Sequence, residues 1–261
     1  MINVQQLAKN FIRPGNRRWQ RAKPEVVVAV SDMSFRAEDG QITGLLGANG
    51  AGKTTTLRMI ASLLKPDSGQ ILVDGVVAQA GQQTSQAQMG VLSDARGLYP
   101  RLTARENIVY YGVLQGLTRQ HAQQRTDLLA EVLELRPLLE RRCDGFSQGE
   151  KMKVALARAL VHDPKNIILD EPTNGLDVIA TRALREFLRW LRSPEGGSKC
   201  IIFSTHIMQE VERLCDHVVV VAHGKTVAHG SVPQLLQQTG ETDFENAFVK
   251  LAFDAQLPAA A

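Results

Sequence analysis

A glycine-rich stretch between an apolar run and a helical pattern constrains the fold of this chain more than any other feature. Residues 47–54 are GANGAGKT and match G-x-x-x-x-G-K-[ST]; QITGLLG leads into them and TTLRMIASLL follows. Glycines allow backbone N–H groups to wrap a phosphate, and a helix start adds further N–H groups and the positive end of a dipole. The stretch therefore predicts a phosphate-binding loop between a strand and a helix, with a plain glycine turn as the alternative.

Each residue type in this loop has a predicted role. Lys53 is expected to reach the β- and γ-phosphates, and the Thr54 hydroxyl to ligate Mg²⁺. The predicted nucleotide-binding residues of the loop are Gly47, Ala48, Asn49, Gly50, Ala51, Gly52, Lys53, Thr54 and Thr55.

A second apolar run ends in two carboxylates. Residues 166–171 are NIILDE, and a buried strand would bring Asp170 and Glu171 to the carboxyl edge of a sheet, where α/β folds bind ligands. We expect Asp170 to hold Mg²⁺ and Glu171 to polarise the attacking water as a general base. The alternative is a strand that ends in a solvated acidic turn.

The segment FSQGE at residues 146–150 begins a second helical pattern, KMKVALARAL. A helix start of this kind can also bind phosphate. Ser147 and Glu150 have capping-box spacing, so the serine could instead cap the helix, and the two roles are compatible.

Length, charge and cysteine content narrow the class of protein. The 261 residues carry a formal net charge of only +3, whereas non-specific nucleic-acid binders usually show a strong basic excess. No segment has the roughly 20 apolar residues of a transmembrane helix, and MINVQQLAKNFIRPG lacks the apolar part of a secretory signal. Three cysteines without a C-x-x-C pair (Cys143, Cys200 and Cys215) favour reduced thiols in a cytosolic protein. We expect no nucleic-acid partner.

Strand and helix patterns alternate along the chain, which is typical of a parallel, helix-covered sheet. Helices are predicted at Thr54–Leu64, Glu150–His162, Val178–Arg192 and Ile207–Leu214. The stretch from Thr103 to Glu140 contains two helical segments, TARENIVYYGVLQGL and TRQHAQQRTDLLAEVLELRPLLE, and indicates a helical insert, with Thr103 and Glu106 at capping-box spacing. A basic segment with Arg13, Arg17, Arg18, Arg21 and Lys23 around Trp19 predicts a solvated loop between two strands, with anionic lipid or nucleotide as the other interpretation.

The segments GANGAGKTT, FSQGE, IILDEPTNGLD and FSTH resemble, in sequence and in order, the ATP-binding subunit of an ABC transporter over roughly residues 1–230. Within that family, GVLSDARGLYPRLTARENI and FSQGEKMKVALARALVHDP are most similar to the sodium-efflux type. The resemblance implies an α/β fold, the P-loop NTPase core of ABC ATPases. This core has a mostly parallel sheet with helices on both faces, an antiparallel β subdomain and an inserted helical subdomain.

The resemblance also implies a domain layout. Residues 1–261 would form a single ABC ATP-binding domain, in which 1–94 and 164–230 are the ATPase core. Residues 95–163 would be the helical subdomain that contains FSQGE, and 231–261 a C-terminal helical tail. The closing segment TVAHGSVPQLLQQTGETDFENAFVKLA would form a strand and two short helices.

Further site residues follow from the same resemblance. Two subunits would pack head to tail, so that Ser147 and the N–H of Gly149 contact the γ-phosphate of ATP on the partner. His206 matches the switch histidine near that phosphate, although alone it could be an ordinary strand-end histidine. Asp177 of NGLD would help to join the subunits, or simply cap the next helix. Phe11 is expected to stack on adenine, with Trp19 as the rival.

Two positions depart from the family pattern. Asp94 stands where the family usually has a glutamine that touches Mg²⁺ and the attacking water, and FSQGE replaces the usual LSGGQ. An aspartate also offers an oxygen ligand, but it is shorter and adds a negative charge, so we expect Asp94 to be a catalytic and metal-linked position with altered geometry.

The sequence therefore predicts an ATPase with ATP and Mg²⁺ as cofactors, which dimerises on ATP and drives a separate membrane-spanning permease at the cytoplasmic face of the cell membrane. Export is the favoured direction, with sodium as a candidate cargo. A permease helix is expected to dock at Leu98, Tyr99 and Leu102, with burial of these residues beneath the helical insert as the alternative. The alternative is a soluble ABC-type ATPase that acts on ribosomes or DNA. A small GTPase lacks support because no N-K-x-D motif occurs.

Overall fold

The computed structural model describes residues 1–13, 24–81, 86–93 and 97–253. The strands in these ranges are β1 (Ile2–Arg13), β2 (Glu25–Ala37), β3 (Ile42–Leu46), β4 (Ser68–Val73), β5 (Val76–Val77), β6 (Met89–Leu92), β7 (Asn166–Asp170), β8 (Cys200–Thr205), β9 (His217–Ala222) and β10 (Lys225–Gly230). The helices are α1 (Lys53–Ile60), α2 (Ala104–Leu114), α3 (Arg119–Val132), α4 (Gln148–Leu160), α5 (Val178–Arg192), α6 (Met208–Leu214), α7 (Val232–Thr239) and α8 (Phe244–Phe253), with a 3₁₀ turn at Arg136–Leu138.

The chain divides into two compact units. The first comprises Met1–Glu38, Thr43–Gln82 and Ser204–Ala261, and the second comprises Asp39–Ile42 and Gln83–Phe203.

The first unit contains both antiparallel and parallel strand pairs. Its strand order is β5-β4-β1-β2-β10-β9-β3. The pairs β1–β2, β1–β4, β4–β5 and β9–β10 are antiparallel, whereas β2–β10 and β3–β9 are parallel. The antiparallel strands β5, β4, β1 and β2 lie together at one edge of this order. The glycine-rich loop directly follows β3, which is a buried parallel strand.

The tail of the chain completes the core of the first unit. Leu46 at the end of β3 and Val218, Val220 and Ala222 of β9 share one buried cluster with Phe244, Ala247, Phe248 and Ala252 of α8. The sequence predicted a strand and two short helices here, and β10, α7 and α8 confirm it.

The second unit combines a short parallel sheet with the helical insert. β6 pairs with β7 in parallel, with Leu92 opposite Leu169, and β8 flanks β7 on the other side. Four residues of β7 are fully buried, and the strand reaches the surface only at Asp170. Helix α2 packs against α3 and α4, and its N-terminal capping box between Thr103 and Glu106 forms as predicted.

The α/β class with an antiparallel part and a helical insert is thus confirmed. The predicted helix boundaries differ from the structure by a few residues. α1 ends at Ile60 rather than Leu64 because Ser62 has a left-handed φ of 57°, which turns the chain out of the helix. α5 has the predicted bounds because Asp177 caps its start, accepting from the N–H of Ala180 at 2.8 Å.

Several predictions fall on residues outside the described ranges, namely Asp94, Trp19 with Arg17, Arg18, Arg21 and Lys23, and the tail 254–261. Arg13 is the exposed last residue of β1. Cys143 and Cys200 are buried, Cys215 is half-buried, and all three are free thiols. Within the described ranges, no helix combines the length and the apolar character that crossing a membrane requires.

Candidate nucleotide-binding site

The glycine-rich loop connects β3 to α1 as predicted. Gly50 and Gly52 have φ values of 82° and 102°, in the left-handed region that side chains with a Cβ rarely adopt. Gly52 is the N-cap of α1, so the N–H groups of the following residues begin the helix at the loop. This geometry provides a set of backbone donors and a positive helix end for an anion.

At two positions of the loop, any residue larger than glycine would collide with neighbouring backbone. A Cβ on Gly47 would lie 2.4 Å from the carbonyl oxygen of Val221, and one on Gly52 would lie 2.6 Å from the carbonyl oxygen of Ala29. Both obstacles are backbone atoms, which cannot move aside as a flexible side chain can. The loop is therefore seated tightly on the end of β9 and on β2.

The side chain of Lys53 is held within the loop. Its side chain is 5% exposed, and Nζ donates to the carbonyl oxygens of Gly47 at 2.8 Å and Ala48 at 3.1 Å. A buried ammonium needs such partners because an uncompensated charge is costly to desolvate. The loop thus holds a cation next to the N–H groups at the start of α1, which is the arrangement that binds a phosphate.

A tight turn that sequence reasoning missed also supports the loop. The N–H of Gly224, between β9 and β10, donates to the carbonyl oxygen of Ala51 at 3.0 Å. The carbonyl oxygen of Gly224 in turn accepts from the N–H of Ser31 at 2.8 Å. The sequence signal was the turn AHGK between two apolar runs, which indicates a hairpin but not its neighbour.

The other predicted site residues of the first unit lie on or next to three different elements. Phe11 lies on β1 opposite Val27, is 41% exposed, and has Lys9 Nζ 5.8 Å from its ring centroid. The rival of Phe11, Trp19, is outside the described residues. His206 directly follows β8 and is exposed, as expected for a strand-end histidine. Thr54 and Thr55 are half-buried in the first turn of α1.

In the second unit, Asp170 and Glu171 stand at the carboxyl end of β7. Asp170 is half-buried, and Glu171 has a left-handed φ of 46°, which is uncommon for a residue with a Cβ and costs about 1 kcal/mol. Asn174 donates its N–H to the carbonyl oxygen of Glu171 at 3.1 Å, and its side-chain amide lies 3.5 Å from Glu171 Oε2. The turn after β7 therefore holds the Glu171 backbone in an unusual conformation.

The segment FSQGE is a helix cap. Phe146 is 3% exposed and lies beneath Arg141, whose guanidinium carbon is 5.4 Å from the ring centroid. Ser147 Oγ accepts from the N–H of Glu150, and Glu150 Oε2 accepts from the N–H of Ser147. The capping interpretation is thus confirmed for Ser147, and a ligand role remains a prediction.

Gly149 and the NGLD loop lie side by side. A Cβ on Gly149 would be 3.9 Å from atoms of Leu176 and Ala180, and one on Gly175 would be 3.2 Å from the Gln148 side chain. Packing alone does not require a glycine at 149, because 3.9 Å is ordinary van der Waals contact. The exposed start of α5 follows directly, with Val178 at 86% and Ile179 at 82% exposure.

Two of the predicted Mg²⁺ ligands, one in each unit, carry the type of donor atom that Mg²⁺ binds. Mg²⁺ binds oxygen atoms and in nucleotide sites usually takes one or two carboxylates, with phosphates and waters completing its octahedron. The Thr54 hydroxyl and the Asp170 carboxylate are such donors. Among the described residues, no group of three or more His, Cys, Asp and Glu side chains is arranged to hold a metal ion.

The predicted docking residues lie at the start of the helical insert. Tyr99 is 46% exposed, and Leu98 and Leu102 are half-buried, so all three side chains are partly accessible to solvent. The exposed Tyr110 ring packs edge-on against Tyr99, with 5.7 Å between centroids. An aromatic surface is therefore present at this position.

Comparisons with known proteins identify the family of this chain. The ABC transporter family model matches residues 30–174. The ABC transporter ATP-binding protein NatA of Bacillus subtilis is 43% identical over 235 residues, which cover 90% of this chain and 94% of that protein. The Nod factor export ATP-binding protein I of Rhizobium etli is 38% identical over 209 residues, covering 80% of this chain and 65% of that protein.

A solved structure shows the same fold. The ATP-binding subunit of an ABC transporter superposes with a TM-score of 0.81 at 28% identity, covering 96% of this chain and 99% of that one. The chain therefore belongs to the ABC transporter family as an ATP-binding subunit, and its activity is ATP hydrolysis.

Proposed function

We propose that this ATPase binds ATP with Mg²⁺ and uses it to drive a separate membrane permease. The observation that carries the proposal is the loop after β3, where the helix α1 begins at Lys53 and the buried Lys53 Nζ donates to the loop carbonyl oxygens of Gly47 and Ala48. Residues 47–55 bind the phosphates, and Phe11 stacks on adenine. Thr54 and Asp170 hold Mg²⁺, which neutralises charge on the phosphates, and Asp94 is a further metal-linked position.

Glu171 acts as the general base in this proposal. Its carboxylate accepts a proton from the attacking water, while His206 contacts the γ-phosphate. The positive φ of Glu171 and the hydrogen bonds of Asn174 support a held, functional position, because strained residues persist where the surrounding structure fixes them.

The functional form is a head-to-tail dimer with ATP between the subunits. Ser147 and the N–H of Gly149 contact the γ-phosphate on the partner, and Asp177 helps to join the copies. Two observations support this: FSQGE lies beside NGLD, and Val178 and Ile179 expose apolar side chains at the start of α5. A second copy that covers them would remove apolar surface from water, at about 25 cal/mol per Å².

The permease gives the ATPase its place at the cytoplasmic face of the membrane. A cytoplasmic helix of that permease docks against Leu98, Tyr99 and Leu102, where Tyr99 and Tyr110 present exposed rings. Export is the direction, and sodium the first cargo to test, because of the resemblance to sodium-efflux subunits; the Rhizobium relative is an export protein by name. The proposed layout is one ABC domain, with residues 1–94 and 164–230 as the core, 95–163 as the helical part and 231–261 as the tail.

The deciding experiment uses tagged Glu171→Gln protein, which binds ATP but turns it over about 10²- to 10⁴-fold more slowly if Glu171 is the general base. The tagged protein is purified with ATP and Mg²⁺ from detergent-solubilised membranes of its host, and the copurifying proteins are identified. Wild-type protein without nucleotide is the control. A polytopic membrane protein is the expected result.

Ribosomes or nucleic acid without any membrane protein would overturn the permease assignment in favour of the ribosome or DNA alternative. Near wild-type turnover by Glu171→Gln would overturn the role of Glu171 separately. Cargo is then tested by reconstituting the complex with sodium and measuring ATP-dependent transport.

A further inference from the structure

The last helix of the described chain borders the phosphate loop. A cavity of about 120 Å³ is lined on one side by residues 48–51 of the loop and on the other by Phe248, Ala252 and Phe253 of α8. Both sides belong to the first unit. The flank of the loop that faces α8 is thus bounded by aromatic side chains across a small gap.

Helix α8 also packs beneath the strands that position the loop. Phe248 is 5% and Ala252 3% exposed, and both share a buried cluster with Leu46, the residue directly before the loop. Val220 and Ala222 of β9 belong to the same cluster. A shift of α8 would therefore be transmitted to both strands, because close-packed interiors transmit strain.

The segment after β9 connects this core to the loop. The Val221 carbonyl oxygen lies 2.4 Å from the position that a Cβ of Gly47 would take, and the N–H of Gly224 donates to the carbonyl oxygen of Ala51. The two ends of the loop thus rest on a segment whose neighbouring residues, Val220 and Ala222, are covered by α8. The middle of the glycine-rich loop, residues 48–50, is exposed.

We propose that α8 positions the phosphate loop and that Phe253 is the positioning residue through which it does so. Phe253 borders the cavity, packs edge-on against Phe248 with 6.3 Å between centroids, and is 49% exposed. Backbone N–H groups bind phosphate well only when they are held in place before the ligand arrives. Loss of the Phe253 ring lets residues 48–51 relax into the gap, so that the donors no longer converge.

The inference rests on the phosphate-binding role proposed for the loop. It is tested with Phe253→Ala and with Val249→Ala, a control on the same helix that is 45% exposed and does not line the cavity. ATP affinity is measured with a fluorescent ATP analogue, alongside kcat, KM and thermal unfolding without nucleotide. Phe253→Leu tests rescue by a side chain of similar bulk.

We expect Phe253→Ala to raise the Kd for ATP by about tenfold, less than the ~100-fold effect of a full 1 Å misplacement. Because the loop is displaced only until ATP fills it, KM should rise while kcat at saturating ATP stays within about twofold. Val249→Ala should bind ATP as the wild type does, and Phe253→Leu should restore most of the affinity.

An unchanged Kd in folded Phe253→Ala would overturn the inference, as would an equal loss in Val249→Ala. Lys53→Ala separates this failure from failure of the underlying assignment. If Lys53→Ala still binds ATP with wild-type affinity, the loop is not the phosphate site. If it does not bind while Phe253→Ala does, only the role of α8 is wrong.

Discussion

Ser147 and Glu150 satisfy each other at the start of α4. The N–H of Ser147 donates to Glu150 Oε2 at 2.7 Å, and the N–H of Glu150 donates to Ser147 Oγ at 3.2 Å. This reciprocal pair explains why a serine stands at the helix start without any ligand role. A capping hydroxyl still has lone-pair capacity and a donor proton, so the same oxygen can face a phosphate.

Ser147→Asp separates the two roles. Aspartate caps helices as well as serine does, so the free energy of unfolding should change by no more than about 0.5 kcal/mol. Its negative charge would repel a γ-phosphate, so we expect ATPase activity and ATP-dependent dimerisation to be lost. Urea unfolding, phosphate release and gel filtration provide the measurements.

The control is Ser231→Asp, because Ser231 caps α7 with the same reciprocal arrangement to Gln234. It should leave turnover unchanged. Full activity in Ser147→Asp would mean that Ser147 is a cap and nothing more.

Gly149→Ala should stabilise the subunit while impairing its function. Gly149 is helical, and a Cβ there would make only ordinary contacts at 3.9 Å, so alanine should add about 0.5–1 kcal/mol to the free energy of unfolding. If the N–H of Gly149 approaches a phosphate on the partner, the methyl group obstructs that approach, and turnover should fall about tenfold or more. A stabilised variant with normal turnover would show that the glycine serves no close contact.

Gly47→Ala and Gly50→Ala should differ in cost. A Cβ on Gly47 collides with a backbone oxygen at 2.4 Å, whereas one on Gly50 meets nothing within 4 Å. We therefore expect Gly50→Ala to lower the free energy of unfolding by about 1 kcal/mol, from its left-handed φ alone. Gly47→Ala should lower it by about 2–3 kcal/mol because the new side chain overpacks the site. Urea unfolding of both variants measures the difference. Equal costs would contradict the tight seating of the loop on Val221.

Asp163 should make stability depend on acid pH. Its Oδ1 lies 3.0 Å from both Lys199 Nζ and Arg125 Nη2. Burial acts to raise the pKa of Asp163, but the hydrogen bond from Lys199 and the charges of both cations outweigh it and hold the pKa below its usual 3.8. A depressed pKa stabilises the fold above the unfolded-state value, and this stabilisation is lost as pH falls below about 4.

Asp163→Asn removes the carboxylate charge and its pH-dependent stabilisation, and asparagine tolerates the observed φ of 57°. Because Asp163 is largely exposed, we expect Asp163→Asn to lower the free energy of unfolding by only about 1 kcal/mol at pH 7, and by less towards pH 3. The control is Glu131→Gln, which breaks the exposed pair with Arg136 and should cost under about 0.5 kcal/mol at any pH. A cost for Asp163→Asn that does not vary with pH would contradict the assignment.

The sequence by itself predicted the elements that depend on neighbours along the chain. The glycine-rich loop, the carboxylates after β7 and the caps at Thr103, Ser147 and Asp177 are built from residues within a few positions of one another. Their spacing is sufficient because backbone turns and caps are closed by short-range hydrogen bonds. Helix ends were less accurate, since α1 stops where Ser62 adopts a left-handed φ.

Only the tertiary structure decided which distant segments support the loop. The hydrogen bond from Gly224 to Ala51, the seat of Gly47 against Val221 and the placement of Phe248 and Phe253 beside the loop join residues far apart in sequence. An apolar pattern states that a face is buried but not against which partner, because hydrophobic burial is non-directional. The partner is chosen when all buried faces are packed together at once.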